Sequence, residues 1–142
     1  MKTVRQLLQG KTSVVYTIGP DAPVIDALSQ MAERGIGALP VVAGGKLVGI
    51  LSERDYARKV ILQGRSSRDT PVREIMTKRV VCVGPQRTVD ECMALMTDKR
   101  IRHLPVIEHG ELTGLLSIGD LVKEVISEQQ FVISQLESYI HH

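Results

Sequence analysis

Apolar and polar positions along this chain switch between a helical and an extended period, and the switch happens twice. Val24, Ala27, Leu28 and Met31 recur at spacings of three and four, which predicts one buried helix face. Val89, Cys92, Met93 and Met96 predict a second. Each helix follows a short apolar stretch, about residues 14–18 and 80–83, that ends in "GP" and reads as a strand. After each helix comes "LPVV" or "LPVI", a strand whose proline is expected near its start, where a missing N–H is tolerated. "AGGK" and "EHGE" read as turns, with Gly45 and Gly110 supplying unusual φ. "LVGILS" and "LTGLLS" are the next strands, and a helix is expected from Ser52 and from Ser117.

The order strand, helix, strand, strand, helix is therefore an internal repeat. Pro40 recurs as Pro105, an offset of 65 that also relates Leu39, Val41, Gly45, Leu47, Gly49, Leu51, Ser52 and Asp55 to their second copies. Extended without gaps, the alignment adds Val15/Val80, Gly19/Gly84, Pro20/Pro85, Val24/Val89, Met31/Met96, Ile36/Ile101 and Val60/Val125. Upstream, "VRQLL" (4–8) echoes "VREIM" (72–76) at a slightly different offset. The polar segment "LQGRSSRDTP" (62–71) is the expected boundary between copies. One copy is too small to bury both faces of its sheet, whereas two related by a pseudo-twofold axis can do so.

Residues 119–140 read as one long helix with an apolar stripe through Leu121, Val122, Val125, Ile126, Val132, Ile133, Leu136 and Ile140. Its second half lies beyond the repeat and is expected to pack back on the module or to cover a partner, with a homodimer favoured. Composition excludes more than it selects. Eighteen basic against 16 acidic residues give a net charge of +2, too balanced to argue for nucleic acid. Aromatics make up 3% and there is no Trp, which leaves no base-stacking platform. No apolar run is long enough to span a bilayer and no secretory leader stands at the N-terminus, so a cytoplasmic location without membrane attachment is expected. Cys82 and Cys92 form no CxxC pair and both read as small core residues. The four histidines, 103, 109, 141 and 142, show no zinc spacing; the last two resemble a tag remnant.

"SERD" at 52–55 carries the candidate chemistry. Ser52 followed three residues later by Asp55 is a capping box, and the carboxylate suits the positive end of a helix. The same geometry offers helix N–H groups and a hydroxyl to an anion, and two carboxylate oxygens to a vicinal diol. The two uses are compatible for Ser52 but compete for Asp55. Ser117 and Asp120 repeat the arrangement. Arg102 and His103 fit either an anion contact or an ordinary solvated strand opening. There is no nucleophile–base pairing, metal cluster or Walker-type loop, so an enzyme is not expected.

The stretches "GIGALPVVAGGKLVGILSERD", "KRIRHLPVIEHGELTGLLSIGD" and the "VREIMT" lead-in resemble the cystathionine-β-synthase (CBS) domain, and the chain resembles a stand-alone tandem pair, a Bateman module of the small bacterial type. The resemblance implies an α+β fold. Repeats at 4–61 and 72–127, each a small three-stranded sheet with two helices, would be joined by a linker at 62–71 and followed by a helical extension at 128–142. It also implies two clefts for adenine nucleotides or related adenosyl compounds: AMP first, with ADP, ATP, NAD and S-adenosylmethionine as rivals. None would act as a catalytic cofactor.

By the same resemblance each cleft is shared between repeats. The Asp55 cleft would draw on Ser52, Arg54, Lys78, Arg79, Val80 and Val81, with Arg102 and His103 facing phosphates. The Asp120 cleft would draw on Thr12, Ser13, Val14, Val15, Tyr16 and Ser117, with Gly37 and Ala38 where the first cleft has Arg102 and His103. The first cleft is therefore expected to take the more phosphorylated ligand. The implied function is a nucleotide-sensing module that modulates an unnamed partner protein. The alternative is a nucleotide-independent interaction protein, with nucleic-acid binding as its weaker form.

Overall fold

The computed structural model describes residues 2–10 and 14–140. Helix α1 (Val4–Gln9) leads to α2 (Val24–Arg34), a hairpin of β1 (Ala38–Ala43) and β2 (Lys46–Ser52), and α3 (Glu53–Tyr56), which continues as a π-helical turn over Ala57–Ile61. A 3-10 turn at Val72–Glu74 opens the second copy, followed by α4 (Val89–Lys99), β3 (His103–Glu108), β4 (Glu111–Ser117) and the long α5 (Ile118–Ile140). The expected α+β architecture with a helical extension is what the chain forms.

Both hairpins are antiparallel, with matching register from Ala38↔Ser52 to Ala43↔Lys46 and from His103↔Ser117 to Glu108↔Glu111. The two-residue turns need positive φ at both centres. Gly44 and Gly45 supply it at 57° and 78°, His109 and Gly110 at 52° and 77°. The prolines lie third in β1 and β3 rather than at their first residues. The third strand of each sheet is shorter than expected, a single parallel bridge of Ile18 to Val41 and of Val83 to Val106.

The helices bury the faces the spacing predicts: Val24, Ala27 and Met31 in α2, and Val89, Cys92 and Met96 in α4. Burial pushes the Cys92 thiol up, so it stays protonated at neutral pH. Cys82, expected in the core, is instead exposed, because the extended stretch before Val83 turns that side chain outward.

The two cores are closed by exchange. Val4 packs with Val83, Val89, Cys92, Met96, Leu104, Val106, Leu116 and Leu121 of the second repeat. Val72 and Ile75 pack with Val24, Ala27, Met31, Leu39, Val41, Leu51 and Val60 of the first. Backbone bonds repeat the exchange symmetrically. The Val4 and Arg5 amides donate to Arg87 and Pro85 carbonyls, and the Val72 and Arg73 amides donate to Ala22 and Pro20 carbonyls. The linker belongs to this scheme, since the Val24 and Ile25 amides donate to Thr70 and Ser67 carbonyls and Thr70 is buried.

Gly49 and Gly114 are the points of closest approach. A Cβ on Gly49 would lie 2.6 Å from Met76 Sδ and 3.0 Å from the Thr77 carbonyl; one on Gly114 would lie 2.8 Å from Leu8 Cδ2. Each glycine thus lets the other repeat's lead-in cross its β-strand. Gly49→Ala is expected to cost about 1–3 kcal/mol in urea unfolding, and Gly114→Ala less, because a leucine tip can move where a backbone carbonyl cannot. Equal costs would contradict the difference in what each methyl meets.

Candidate functional site

Ser52 ends β2 and caps α3. Its hydroxyl accepts from the Asp55 amide at 3.1 Å, and Asp55 Oδ2 accepts from the Ser52 amide and hydroxyl, both at 3.0 Å. The other carboxylate oxygen is held from outside the cap. Thr77 Oγ1 donates to Oδ1 at 3.3 Å, and Lys59 Nζ stands 3.2 Å away. Lys59 also donates to the Ile75 carbonyl at 3.0 Å. The carboxylate, 14% exposed, therefore has two polar contacts on each of its oxygens. Ser117 and Asp120 repeat the cap at 2.8 and 3.2 Å. Position 59 in the first helix corresponds to Glu124 in the second, which pairs with Lys2.

The helix ends give an anion less than the sequence suggested. The Glu53 amide donates to the Gly37 carbonyl, the Ile118 amide to the Arg102 carbonyl, and the Asp55 and Asp120 amides to the serine hydroxyls. The Ser52 hydroxyl both donates to and accepts from Asp55, and the Ser117 hydroxyl accepts from the Asp120 amide.

Cationic groups gather in a groove that reaches α3 through Arg54 and α5 through Ile118, and neither Ser52 nor Asp55 is in its lining. Arg54, Arg100 and Arg102 line one groove of about 270 Å3, floored by Met96, Ile101 and Ile118. Arg54 Nη1 lies 3.4 Å from the Arg100 carbonyl. Among the described residues none of the three guanidinium groups forms an ion pair. Arg100 was missed as a site residue in the sequence. It ends α4 with φ 55°, the left-handed conformation that Gly35 supplies at the end of α2. A side chain in that conformation costs about 1–2 kcal/mol, and such outliers gather at functional sites. His103 is half-buried and lies against Gly37 and Glu53, where a Cβ on Gly37 would be 3.5 Å from both. Gly37 thus belongs to the junction with His103. Ala38 is fully buried and offers no side chain to a cleft.

A larger cavity of about 490 Å3 lies on the other side, lined by Val14, Val15, Tyr16, Ile36, Leu8 and the β4 stretch Thr113–Leu115. Glu33 and Arg34 complete its rim, and the Arg34 guanidinium stacks 4.5 Å above the Tyr16 ring. Arg34, which sits on α2 and was not named as a site residue in the sequence, brings a cationic side chain to this cavity. Ser117 and Asp120 lie just beyond Leu115, outside the lining. Lys78 and Arg79 are exposed, Val80 and Val81 half-buried, and none of the four lines either space. Thr12, Ser13, His141 and His142 fall outside the described residues. Among the described residues no helix is long and apolar enough to cross a membrane.

Two crossed repeats with paired Ser–Asp caps define a class, and comparison with known proteins assigns it. The CBS domain family matches residues 4–61 and 72–127, and the chain belongs to that family as a tandem pair. Such pairs are generally regulatory, not catalytic, modules that bind adenine nucleotides. Among solved structures, a putative signal-transduction protein with CBS domains from Burkholderia ambifaria is 56% identical, with TM-score 0.87 over 90% of this chain and 96% of that one. The chain is 35% identical to the CBS domain-containing protein YhcV of Bacillus subtilis, covering 83% of this chain and 84% of that protein. It is 46% identical to the mitochondrial CBS domain-containing protein CBSX3 of Arabidopsis thaliana over 84% of this chain, and spans 61% of that protein's length.

Because Arg100 holds a glycine conformation, Arg100→Gly is expected to stabilise the fold by up to about 1 kcal/mol in denaturant unfolding. A loss of stability would show that the arginine is kept for packing.

Proposed function

We propose that the chain is a sensor of adenine nucleotides, AMP foremost, whose ligand state alters its contact with a partner protein. The groove of Arg54, Arg100 and Arg102 carries this reading, since three guanidinium groups without ion-pair partners among the described residues favour a phosphate. The 490 Å3 cavity, apolar with Tyr16 and Arg34 at its rim, has the size and lining for a nucleoside.

The Asp55 contacts suggest how a ligand would be felt. Ribose hydroxyls on Oδ1 would compete with Thr77 and Lys59 for that oxygen. Thr77 pairs with Ile50 through both backbone bonds and follows Met76 in the lead-in crossing Gly49. A ribose on Asp55 therefore competes with a contact that joins the two repeats. It shifts their relation only to the extent that it binds the displaced arrangement better.

Titration calorimetry with AMP, ADP and ATP tests the reading. Arg102→Ala and Arg100→Gly are expected to weaken AMP binding about tenfold or more, the loss of one charge-assisted contact. Asp55→Ala should weaken phosphorylated ligands more than Asp120→Ala does. If none of AMP, ADP, ATP, NAD or S-adenosylmethionine raised the Tm or released heat, the nucleotide-independent interaction protein would be the better account. Binding of RNA or DNA that nucleotides do not compete away would mark its nucleic-acid form.

A further inference from the structure

Helix α5 leaves its own module after two turns. Leu121 is buried and Val125 packs on the second core, whereas Ile126 (50%), Ile133 (53%), Leu136 (57%) and Ile140 (75%) stand exposed. Most of the exposed apolar residues follow a heptad, with Val132 and Tyr139 flanking it and Phe131 on the opposite side. Val122, Ile126, Gln129, Ile133, Leu136 and Ile140 alternate spacings of four and three, with isoleucine at every a position and Val122, Gln129 and Leu136 at d. Residues 126–140 span about 21 Å, long enough for a zipper of two heptads.

We propose that this stripe pairs with the same stripe of a second copy, antiparallel, about a twofold axis at the level of Phe131. The sequence is self-complementary in that orientation. Placing Ile126 against Leu136 of the other copy also places Val122 against Ile140 and Gln129 against Ile133, so each a residue meets a d residue. The flanks match as well. Val132 meets its own counterpart, Val125 lies beside Tyr139, and Lys123 faces Glu137 in two equivalent ion pairs. Neither Lys123 nor Glu137 has an ion-pair partner within its own chain among the described residues. A parallel pair would hold Lys123 and Glu137 14 residues, about 21 Å, apart and leave both charges unmatched.

The occupant is a second copy rather than a lipid surface. Residues 127–140 carry Glu128 and Glu137 as their only charged side chains, and an interfacial helix needs Lys or Arg on its polar face. The pairing stands independently of the nucleotide reading.

Cysteine crosslinking of the full chain in a Cys82→Ser background tests both partner and direction. An oxidised mixture of Lys123→Cys and Glu137→Cys chains should give a covalent dimer, while either variant alone should not. Light scattering should show the unmodified chain as a dimer or larger, and the doubly substituted Ile133→Asp, Leu136→Asp chain should lose crosslinking in the cysteine mixture. A monomeric unmodified chain would overturn the proposal. So would crosslinking of either variant alone, or a dimer that yields no crosslink in the mixture.

Discussion

The structure depends on a crossed closure: each repeat's core is sealed by the segment that introduces the other. Val4 completes the second core, and Val72 with Ile75 completes the first. Burying a valine or isoleucine side chain contributes about 1.5–3 kcal/mol, a sizeable share of the marginal stability of a small domain. Neither repeat is therefore a packing unit by itself, and any change in how a lead-in sits reaches both. Glycine is required at positions 49 and 114 for this reason, since the crossing chain occupies the space of a side chain.

The same crossing places the functional groups. Asp55 is held on one oxygen by its own cap and on the other by Thr77 and Lys59, so the carboxylate belongs to the fold before it belongs to any ligand. The competition between capping and ligand binding legible in "SERD" is real, and the fold resolves it by using both oxygens. The arginines are arranged differently. Arg54 stands on the capped α3 and Arg102 just before β3, its carbonyl held by the Ile118 amide, while Arg100 reaches the groove from a backbone conformation better suited to glycine. Local strain beside positive charge that has no ion-pair partner among the described residues is the pattern expected of a site kept for binding rather than for stability.

Much of this was legible in the sequence because it is local. The capping boxes at Ser52 and Ser117, the turns at Gly45 and Gly110, and the faces of α2 and α4 follow from spacings of three, four and two residues. The exchange was not, because the changed offset between "VRQLL" and "VREIM" marks a difference without saying which core each joins. The stacking of Arg34 on Tyr16 depends on a neighbour far away in sequence. Arg100 could have been found, since aligning Gly35 with Arg100 puts a side chain where the first copy has a glycine. The two copies are thus most informative where they differ.

Native-state hydrogen exchange at the lead-ins tests the crossed closure most directly. The Val4 and Arg5 amides bond to Arg87 and Pro85, and the Val83 and Ile107 amides hold the third strand of the second sheet. Shortening the second core by Leu104→Ala should accelerate exchange at Val4 and Arg5 together with Val83 and Ile107, by a similar factor. If Val83 and Ile107 opened while Val4 and Arg5 kept their original protection, the lead-in would not be part of that core, and the account of two mutually closed repeats would be wrong.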